Sequence, residues 1–315
     1  VVSVHGDEAI VDGGYKAFAL KVLRIDERPE MRETLDEKER GHLLHALLEA
    51  GQDALKEADA TDPAGRWETV MAGLDEAGAR FSLEAGQVDA ALLEADLRAI
   101  RRQVELWLGR RLSAPEGWTM LASEVGFGPK HRWPAVEIAM PEGPPVAIRG
   151  RIDGVERMGG VLRAVEFKSG RGDGYRRRLQ QGALETQFQL VVYAAALERA
   201  RAAGLVGDAD TASVDGTYVG FRDLSEHGLR DALSKPRRQS EEQWDIDALI
   251  TQGAAGEGRL GDAVRAVVAP LRAGRFEPRP RDCQFCQYRS LCRVEAHDEP
   301  PDEEGGAPPG GAKEG

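Results

Sequence analysis

The sequence predicts an α/β protein: a mixed central sheet flanked by helices, preceded by a helical part and followed by a cysteine-rich segment. Three observations predict this fold. Apolar residues recur at three- and four-residue spacing from about 36 to 112, which is typical of helices. Four consecutive segments between 118 and 170 then show the two-residue alternation of strands. A helix and a further strand follow, as in a single α/β domain.

The period of the apolar residues sets the boundaries of each predicted element. The predicted helices lie at 15–24, across most of 36–112, at 184–204 and across most of 241–273. The predicted strands lie at 118–128, 136–140, 146–158, 161–170 and 211–221. Gly159 and Gly160 separate the third strand from the fourth by a two-residue turn, which predicts a β-hairpin.

We expect one folded domain at 15–297, made of a helical part (15–112), an α/β core (113–225) and a helical, cysteine-bearing part (226–297). Residues 1–14 are Gly-rich and are expected to be flexible, and the composition of 298–315 predicts a disordered tail. The chain begins with Val rather than Met, as a fragment or a processed product would.

Composition narrows the function classes. The chain has 315 residues, 41% of them hydrophobic, and no apolar run approaches the roughly 18–20 residues of a membrane span. Its first residues lack the basic start and apolar centre of a signal peptide, so a cytoplasmic protein without membrane contact is expected. No G-x-x-x-x-G-K-(S/T) phosphate-binding loop occurs, so we expect no ATP site in this chain.

The net charge of −12 argues against simple non-specific DNA binding without excluding a nucleic-acid substrate. Part of the acidity lies in the tail, and carboxylates that hold a metal would also contribute to it. Basic clusters remain at Arg101/Arg102, Arg110/Arg111, Arg176–Arg178 and Lys235–Arg238. Each cluster, taken alone, is interpreted as a solvated helix face or loop.

The predicted hairpin carries three residues that indicate chemistry. Glu166 and Lys168 are two apart in VEFKSG, so both side chains leave the strand on one face. Asp153 pairs near 166–167 across the turn, which brings two carboxylates together. Such carboxylates repel, and a divalent cation such as Mg²⁺ or Mn²⁺ would compensate them. Lys168 could then activate a water or stabilise a phosphoryl oxygen, whereas a Glu–Lys pair alone would be an ordinary surface pair.

The residues around this hairpin, GRIDGVE…VEFKSG, resemble the PD-(D/E)XK nuclease superfamily, specifically the RecB/AddB-type domain of bacterial helicase–nucleases. Three other segments resemble motifs of this family, in the family's order: ERGHLLHALLEA (39–50), SEVGFG (123–128) and QFQLVVYA (187–194). The resemblance covers about 15–293, and it implies the restriction-endonuclease-like core of this superfamily.

The resemblance also implies roles for individual residues. His45 matches the family's metal-binding histidine, so His45, Asp153 and Glu166 would hold the cation. Lys168 would assist the attack of a metal-bound water on the phosphodiester. His42 shares the helix with His45 and is the weaker candidate, since a packed or exposed histidine would explain it equally well.

The two remaining motifs add residues around this centre. Glu124 and Phe127 match a glutamate and an aromatic on the strand before the hairpin, where Glu124 is either a ligand or a structural residue. Gln189 and Tyr193 are four residues apart and therefore on one helical face. The resemblance places both in the catalytic set, on the substrate side, although they would also serve as buttresses or core.

The three cysteines, Cys283, Cys286 and Cys292, lie within ten residues. This clustering favours a reduced compartment and a metal or cluster site over a disulfide framework. Three thiolates fall one short of the four ligands that a zinc ion or a 4Fe–4S cluster needs.

The resemblance implies a fourth cysteine far upstream, in the segment GGYKAFALKVL, where Tyr15 and Phe18 match but Gly13 stands in the cysteine position. Three explanations stay open: a start that is truncated or altered, a Cys₃His zinc site completed by His297, or a site that has decayed. The resemblance favours the 4Fe–4S cluster, with Zn²⁺ as the alternative.

Together these residues predict a Mg²⁺- or Mn²⁺-dependent deoxyribonuclease. The resemblance implies an exonuclease in double-strand-break repair and recombination, which acts on DNA within a helicase–nuclease complex. The helicase would be a partner subunit or an upstream portion of the same protein. Two alternatives stay open: a non-catalytic nuclease-fold subunit that binds DNA or serves as a scaffold, and a zinc-binding interaction domain.

Overall fold

A computed structural model of the protein describes residues 2–3, 23, 35–57, 62–84, 89–113, 117–182, 188–208, 210–234, 250 and 258–275. Its helices are α1 (Glu37–Glu57), α2 (Pro63–Glu84), α3 (Ala90–Ser113), α4 (Gly172–Gly182), α5 (Phe188–Ala202), α6 (Leu229–Ser234) and α7 (Gly258–Arg272). Its strands are β1 (Val2–Ser3), β2 (Thr119–Phe127), β3 (Val136–Ile138), β4 (Val146–Met158), β5 (Val161–Lys168), β6 (Ser213–Gly220) and β7 (Ser225–Gly228).

The seven strands form one mixed sheet in the order β1-β4-β5-β6-β7, and β2 and β3 also pair with β4. The β4–β5 pair is antiparallel and the β5–β6 pair is parallel, with a helical crossover between the latter two. The predicted turn at Gly159 is present, with a positive φ of 54° that glycine adopts without strain. The predicted mixed sheet flanked by helices is therefore confirmed.

The two faces of β5 are covered by different helices, because its side chains alternate. Val165 and Phe167 join the core under α1–α3, where the Trp107 ring lies edge-on to Phe167 at 5.0 Å. Leu162 and Ala164 join the opposite core, which includes the buried face of α5. Glu166 and Lys168 share the direction of Leu162 and Ala164, so the alternation directs both toward α5.

The start of α1 is fixed by a reciprocal cap. Glu39 N–H donates to Asp36 Oδ1 at 2.7 Å, and Asp36 N–H donates to Glu39 Oε2 at 2.8 Å. This capping box satisfies two backbone donors that a helix start otherwise leaves unpaired. It sets where α1 begins, and therefore which turn of the helix carries His45.

Three described elements were not predicted from the sequence: α4, β7 and α6. Helix α4 begins GDGYRRR and has two glycines in its first turn, so its local propensity for helix is weak. Strand β7 reads SEHG and lacks the β-branched and apolar residues that mark strands. Their formation depends on packing against β6 and on pairing with it. The predicted helix at 15–24 and residues 283–297 lie outside the described residues, apart from Leu23.

No helix in the described part of the chain combines the length and the apolar character needed to cross a bilayer.

The segment after β5 passes so close to β6 that only glycine fits at the crossing. A Cβ on Gly220 would lie 2.2 Å from the Gly172 nitrogen and 2.7 Å from the Gly172 Cα. Both are backbone atoms and cannot rotate away. We therefore expect Gly220→Ala to lower the free energy of unfolding by about 1–3 kcal/mol, measured by chemical denaturation. Gly174→Ala is the matched control, since a Cβ there meets nothing within 4 Å. Equal stability of the two variants would contradict the close approach.

Candidate active site around the β4–β5 hairpin

Asp153 is fixed across the hairpin by the neighbouring strand. Gly154 pairs with Val165, and the Phe167 N–H donates to Asp153 Oδ2 at 2.8 Å. The predicted pairing of position 153 near 166–167 is therefore confirmed. Both Asp153 and Glu166 are buried, with exposed fractions of 4% and 3%. Two carboxylates of the hairpin thus lie beneath the surface of the sheet.

Helix α1 brings His45 to this pair of strands. The His45 Nδ1 atom lies 3.6 Å from Asp153 Oδ1 and 3.9 Å from Glu124 Oε1. His42, one turn earlier on α1, is exposed and is not among the residues whose ligand atoms converge with these two carboxylates. The structure therefore distinguishes the two histidines, and His45 is the one beside the hairpin.

A chain of polar contacts leads from Glu166 to helix α5. Lys168 Nζ lies 2.6 Å from Glu166 Oε1 and donates to Gln189 Oε1 at 3.1 Å. Gln189 Nε2 in turn donates to the Tyr193 hydroxyl at 3.0 Å. The predicted helical face of Gln189 and Tyr193 thus meets the predicted lysine.

Aromatic rings form the wall behind these polar groups. Phe127, fully buried at the end of β2, lies edge-on to the Tyr193 ring at 6.0 Å and 84°. On the other side, Lys168 Nζ lies 5.9 Å from the centre of the Tyr218 ring. The lysine is consequently held between a carboxylate, an amide and an aromatic face.

The charges in this site favour an added positive charge. Burial raises the pKa of Asp153, and the Glu166 carboxylate raises it further, so it lies well above its usual range. Burial by itself would lower the pKa of His45, but Asp153, Glu124 and Glu166 outweigh it and raise that pKa to about 9. Burial, followed by Glu166 and Asp153, also raises the pKa of Tyr193 well above its usual range, so its hydroxyl stays protonated.

The donor set fits a divalent cation. One ligand atom from each of His45, Glu124 and Asp153 lies within 4.8 Å of the other two. Glu166 is not in that group of three, but its Oε2 atom is buried and has no hydrogen-bond partner among the described residues. An orphaned buried carboxylate oxygen beside other acidic ligands is what a hard cation such as Mg²⁺ would satisfy.

Glu124 is held in an unusual backbone conformation. Its φ is +49°, a left-handed value that costs a non-glycine residue energy and is concentrated at functional sites. Arg151 holds the side chain from β4, with its Nε 2.7 Å from Glu124 Oε2. The preceding Ser123 is tied to α1, since its hydroxyl lies 2.8 Å from Asp53 and 2.6 Å from Lys56. These contacts position Glu124, and no sequence pattern predicts them.

The prediction that each basic cluster is a solvated face is wrong for Arg111. Its Nε donates to Glu156 at 2.9 Å and a second nitrogen reaches Glu226 at 2.8 Å, while the guanidinium lies 4.7 Å from the Trp107 ring. Arg163 makes contacts of 2.8 Å to the same two glutamates. This network joins α3 to the sheet. The partners are far apart in the chain, so only the folded structure brings them together.

Comparisons with known proteins agree with this geometry. A profile of the PD-(D/E)XK nuclease superfamily matches residues 2–293 of the chain. One of the two subunits of an ATP-dependent helicase/deoxyribonuclease from Symbiobacterium thermophilum is 30% identical over 187 residues, which is 55% of this chain. That match spans 16% of the length of the Symbiobacterium protein.

A structural match is weaker. The crystal structure of SSO0001 covers 87% of this chain and 91% of its own, at 11% identity and a TM-score of 0.29. A score this low does not establish a shared fold.

Proposed function

Because the chain belongs to the PD-(D/E)XK nuclease superfamily, we propose that it is a metal-dependent deoxyribonuclease that hydrolyses phosphodiester bonds of DNA as an exonuclease. The observation that supports this most directly is the convergence of His45, Glu124 and Asp153 beside the orphaned Glu166 carboxylate, with Lys168 against it. A buried group of this kind would be costly in a protein that used the fold only as a scaffold.

His45, Glu124 and Asp153 would hold a Mg²⁺ or Mn²⁺ ion, and the free oxygen of Glu166 would face it or one of its waters. When bound, such an ion lowers the pKa of a water and neutralises charge on phosphate oxygens. The chain's own part is to supply these ligands in a buried, prearranged set. Arg151 and the Asp53–Lys56–Ser123 contacts keep Glu124 in place.

Lys168 would act on the substrate. Glu166 and Gln189 orient its ammonium group, which would donate a hydrogen bond to a phosphate oxygen as negative charge develops there. Water adds to phosphorus, the bond from phosphorus to the leaving sugar oxygen breaks, and that oxygen takes up a proton. Gln189 and Tyr193 would orient Lys168 and line the substrate side, with Tyr193 remaining a neutral hydroxyl.

A role in double-strand-break repair and recombination would follow from the similarity to a helicase/deoxyribonuclease. The chain matches a small part of that protein's length, so a helicase would be a partner subunit or another portion of the same polypeptide. For the cysteine segment we retain the proposal of a 4Fe–4S cluster on Cys283, Cys286 and Cys292, with zinc and His297 as the alternative. These residues lie outside the described part of the chain.

The proposed activity is tested by incubating the purified chain with end-labelled linear DNA in Mg²⁺, Mn²⁺ or EDTA. We expect cleavage with either metal and none with EDTA. Absence of cleavage in all three conditions, with binding retained, would favour a non-catalytic DNA-binding subunit. An absorbance spectrum of the same sample separates an iron–sulfur cluster, which absorbs in the visible range, from zinc, which does not.

The buried carboxylates predict a trade between stability and function. Asp153→Asn removes one of two neighbouring buried charges while keeping an acceptor for the Phe167 N–H. In EDTA we expect its melting midpoint to exceed that of the wild type by a few degrees. Adding Mg²⁺ should raise the midpoint of the wild type and leave the variant unchanged, because binding stabilises only the state that binds.

Both midpoints are measured by thermal denaturation in EDTA and in Mg²⁺. Asp262→Asn is the control, since this carboxylate on α7 is 76% exposed. It should keep both the wild-type midpoint and the wild-type response to Mg²⁺. An Asp153→Asn protein that Mg²⁺ stabilises as much as the wild type would contradict the proposed ligand.

A further inference from the structure

Two connected cavities open just beyond the carboxyl end of β5, next to Lys168. The larger, of about 450 Å³, lies between α1, α3 and the segment Ser169–Gly170. The smaller, of about 370 Å³, lies at the start of α4. Tyr175 and Arg222 line both cavities, so together they form one groove. We call the part lined by Arg171, Tyr175, Arg177 and Arg222 the arginine groove.

The arginine groove is locally basic in a chain whose net charge is −12. Its three arginines, Arg171, Arg177 and Arg222, are all exposed. The described residues that line the smaller cavity include one acid, Asp173, which lies 3.6 Å from Arg176 and 3.9 Å from His227. Positive charge therefore exceeds negative charge in this part of the groove.

The larger cavity is more nearly neutral. Arg40 donates to both oxygens of Asp96, at 2.6 and 3.2 Å, and Glu37 is the other acid among the described lining residues. The positive surplus of the groove is consequently concentrated at Arg171, Arg177 and Arg222, on the side of α4.

Backbone pairing holds two of these arginines side by side. The parallel pairing of β5 and β6 continues beyond both strands, with Phe221 N–H donating to Lys168 O at 2.8 Å and Arg222 N–H donating to Gly170 O at 3.2 Å. Arg171 and Arg222 therefore project from the carboxyl ends of neighbouring parallel strands, where open α/β sheets place their ligand sites. The arrangement belongs to the sheet and not to a detached loop.

Aromatic rings connect the groove to Lys168. The Tyr175 ring lies 5.3 Å from the Tyr218 ring at an angle of 34°, and Tyr218 is the ring beneath Lys168 Nζ. Tyr175 is partly exposed where it lines the groove, whereas Tyr218 is buried. A chain of phosphates that passes Lys168 would thus continue along an aromatic wall toward the arginines.

We infer that the arginine groove binds one single strand of the DNA substrate, with Arg171 and Arg222 on the phosphates that flank the scissile one and Tyr175 against a sugar or base. This inference rests on the proposed nuclease function. A basic groove with an aromatic wall is the usual construction of single-strand sites, and arginine pairs with phosphate through two nitrogens at once. Cavities of a few hundred Å³ hold nucleotides of one strand and exclude a duplex.

The test measures binding in EDTA, so that metal-dependent cleavage plays no part. Fluorescence anisotropy with a labelled 15-nucleotide oligo-dT compares the wild type with the Arg171→Ala/Arg222→Ala double variant over a range of salt concentrations. We expect the double variant to bind about tenfold or more weakly at low salt. Its log–log dependence on salt should be shallower by about 1.4, since each lost phosphate contact on a single strand contributes about 0.7.

Two comparisons make the result specific. Arg80→Ala removes an exposed arginine from α2, a helix that contributes no described residue to either cavity, and it should bind like the wild type. A 15-base-pair duplex should bind more weakly than oligo-dT and should respond little to the double variant. An unchanged affinity and salt slope, an equal loss in Arg80→Ala, or an equal effect on the duplex would each overturn the inference.

The outcome is separable from that of the proposed function. Cleavage in Mg²⁺ with unchanged oligo-dT binding by the double variant would remove the groove and retain the nuclease. A loss of binding in a chain that never cleaves would retain the groove and remove the nuclease.

Discussion

Replacing Lys168 by alanine is expected to abolish detectable cleavage of DNA, a loss of at least about 10²–10³-fold in rate. The reason is that Lys168 would supply the positive charge nearest to the reacting phosphate. No neighbouring cation among the described residues takes the same place between Glu166 and Gln189. The metal ligands would remain, so the variant should still gain thermal stability from Mg²⁺.

The measurement is the single-turnover cleavage rate of a labelled linear duplex and of its single strand in Mg²⁺. Lys38→Ala is the matched control, because Lys38 is an exposed lysine in the first turn of α1. It should cleave like the wild type. Undiminished cleavage by a folded Lys168→Ala protein would rule out the proposed role of this lysine.

The largest effect on stability is expected at Glu156, outside the candidate site. Its side chain is fully buried, and it accepts hydrogen bonds from Arg111 at 2.9 Å and from Arg163 at 2.8 Å. Without it, two largely buried guanidinium groups would share Glu226 alone among the described acids. Breaking a buried ion pair from one side typically costs about 3–5 kcal/mol, because the remaining charge stays desolvated.

We therefore expect Glu156→Ala to lower the free energy of unfolding by about 3–5 kcal/mol. Chemical denaturation measures this change directly. The adjacent Arg157→Ala is the control: its ion pair with Asp208 is about one-third exposed, so its loss should cost at most about 1 kcal/mol. A Glu156→Ala protein no less stable than Arg157→Ala would show that the network contributes little.

The hairpin was predictable because its determinants are local. Two glycines at 159–160 set the turn, the period of two sets the faces, and the register then fixes Asp153 opposite Glu166. Gln189 and Tyr193 were predictable in the same way, because a spacing of four residues fixes their common face on α5. What local patterns cannot supply is the distance between elements. The structure adds that distance through the contact between Lys168 and Gln189.

The features that sequence patterns do not reveal all depend on contacts between distant segments. Arg111, Glu156 and Glu226 lie on α3, β4 and β7, and no spacing relates them. Arg151 reaches Glu124 only because β2 pairs with β4 in a specific register. Helix α4 has weak local propensity and forms against β6 and β7. The open ends of β5 and β6 then place Arg171 beside Arg222, a pairing that the interpretation of basic clusters as solvated faces did not foresee.

The central claim is that Asp153 belongs to a metal site that cleaves phosphodiester bonds. Binding of Mn²⁺, followed by electron paramagnetic resonance in the same samples used for cleavage of labelled linear DNA, tests both halves together. The wild type should bind Mn²⁺ at a site that supports cleavage, and Asp153→Ala should lose binding at that site and cleavage together while remaining folded. Cleavage by the wild type in EDTA, or retention of Mn²⁺ binding and cleavage by Asp153→Ala, would contradict the claim.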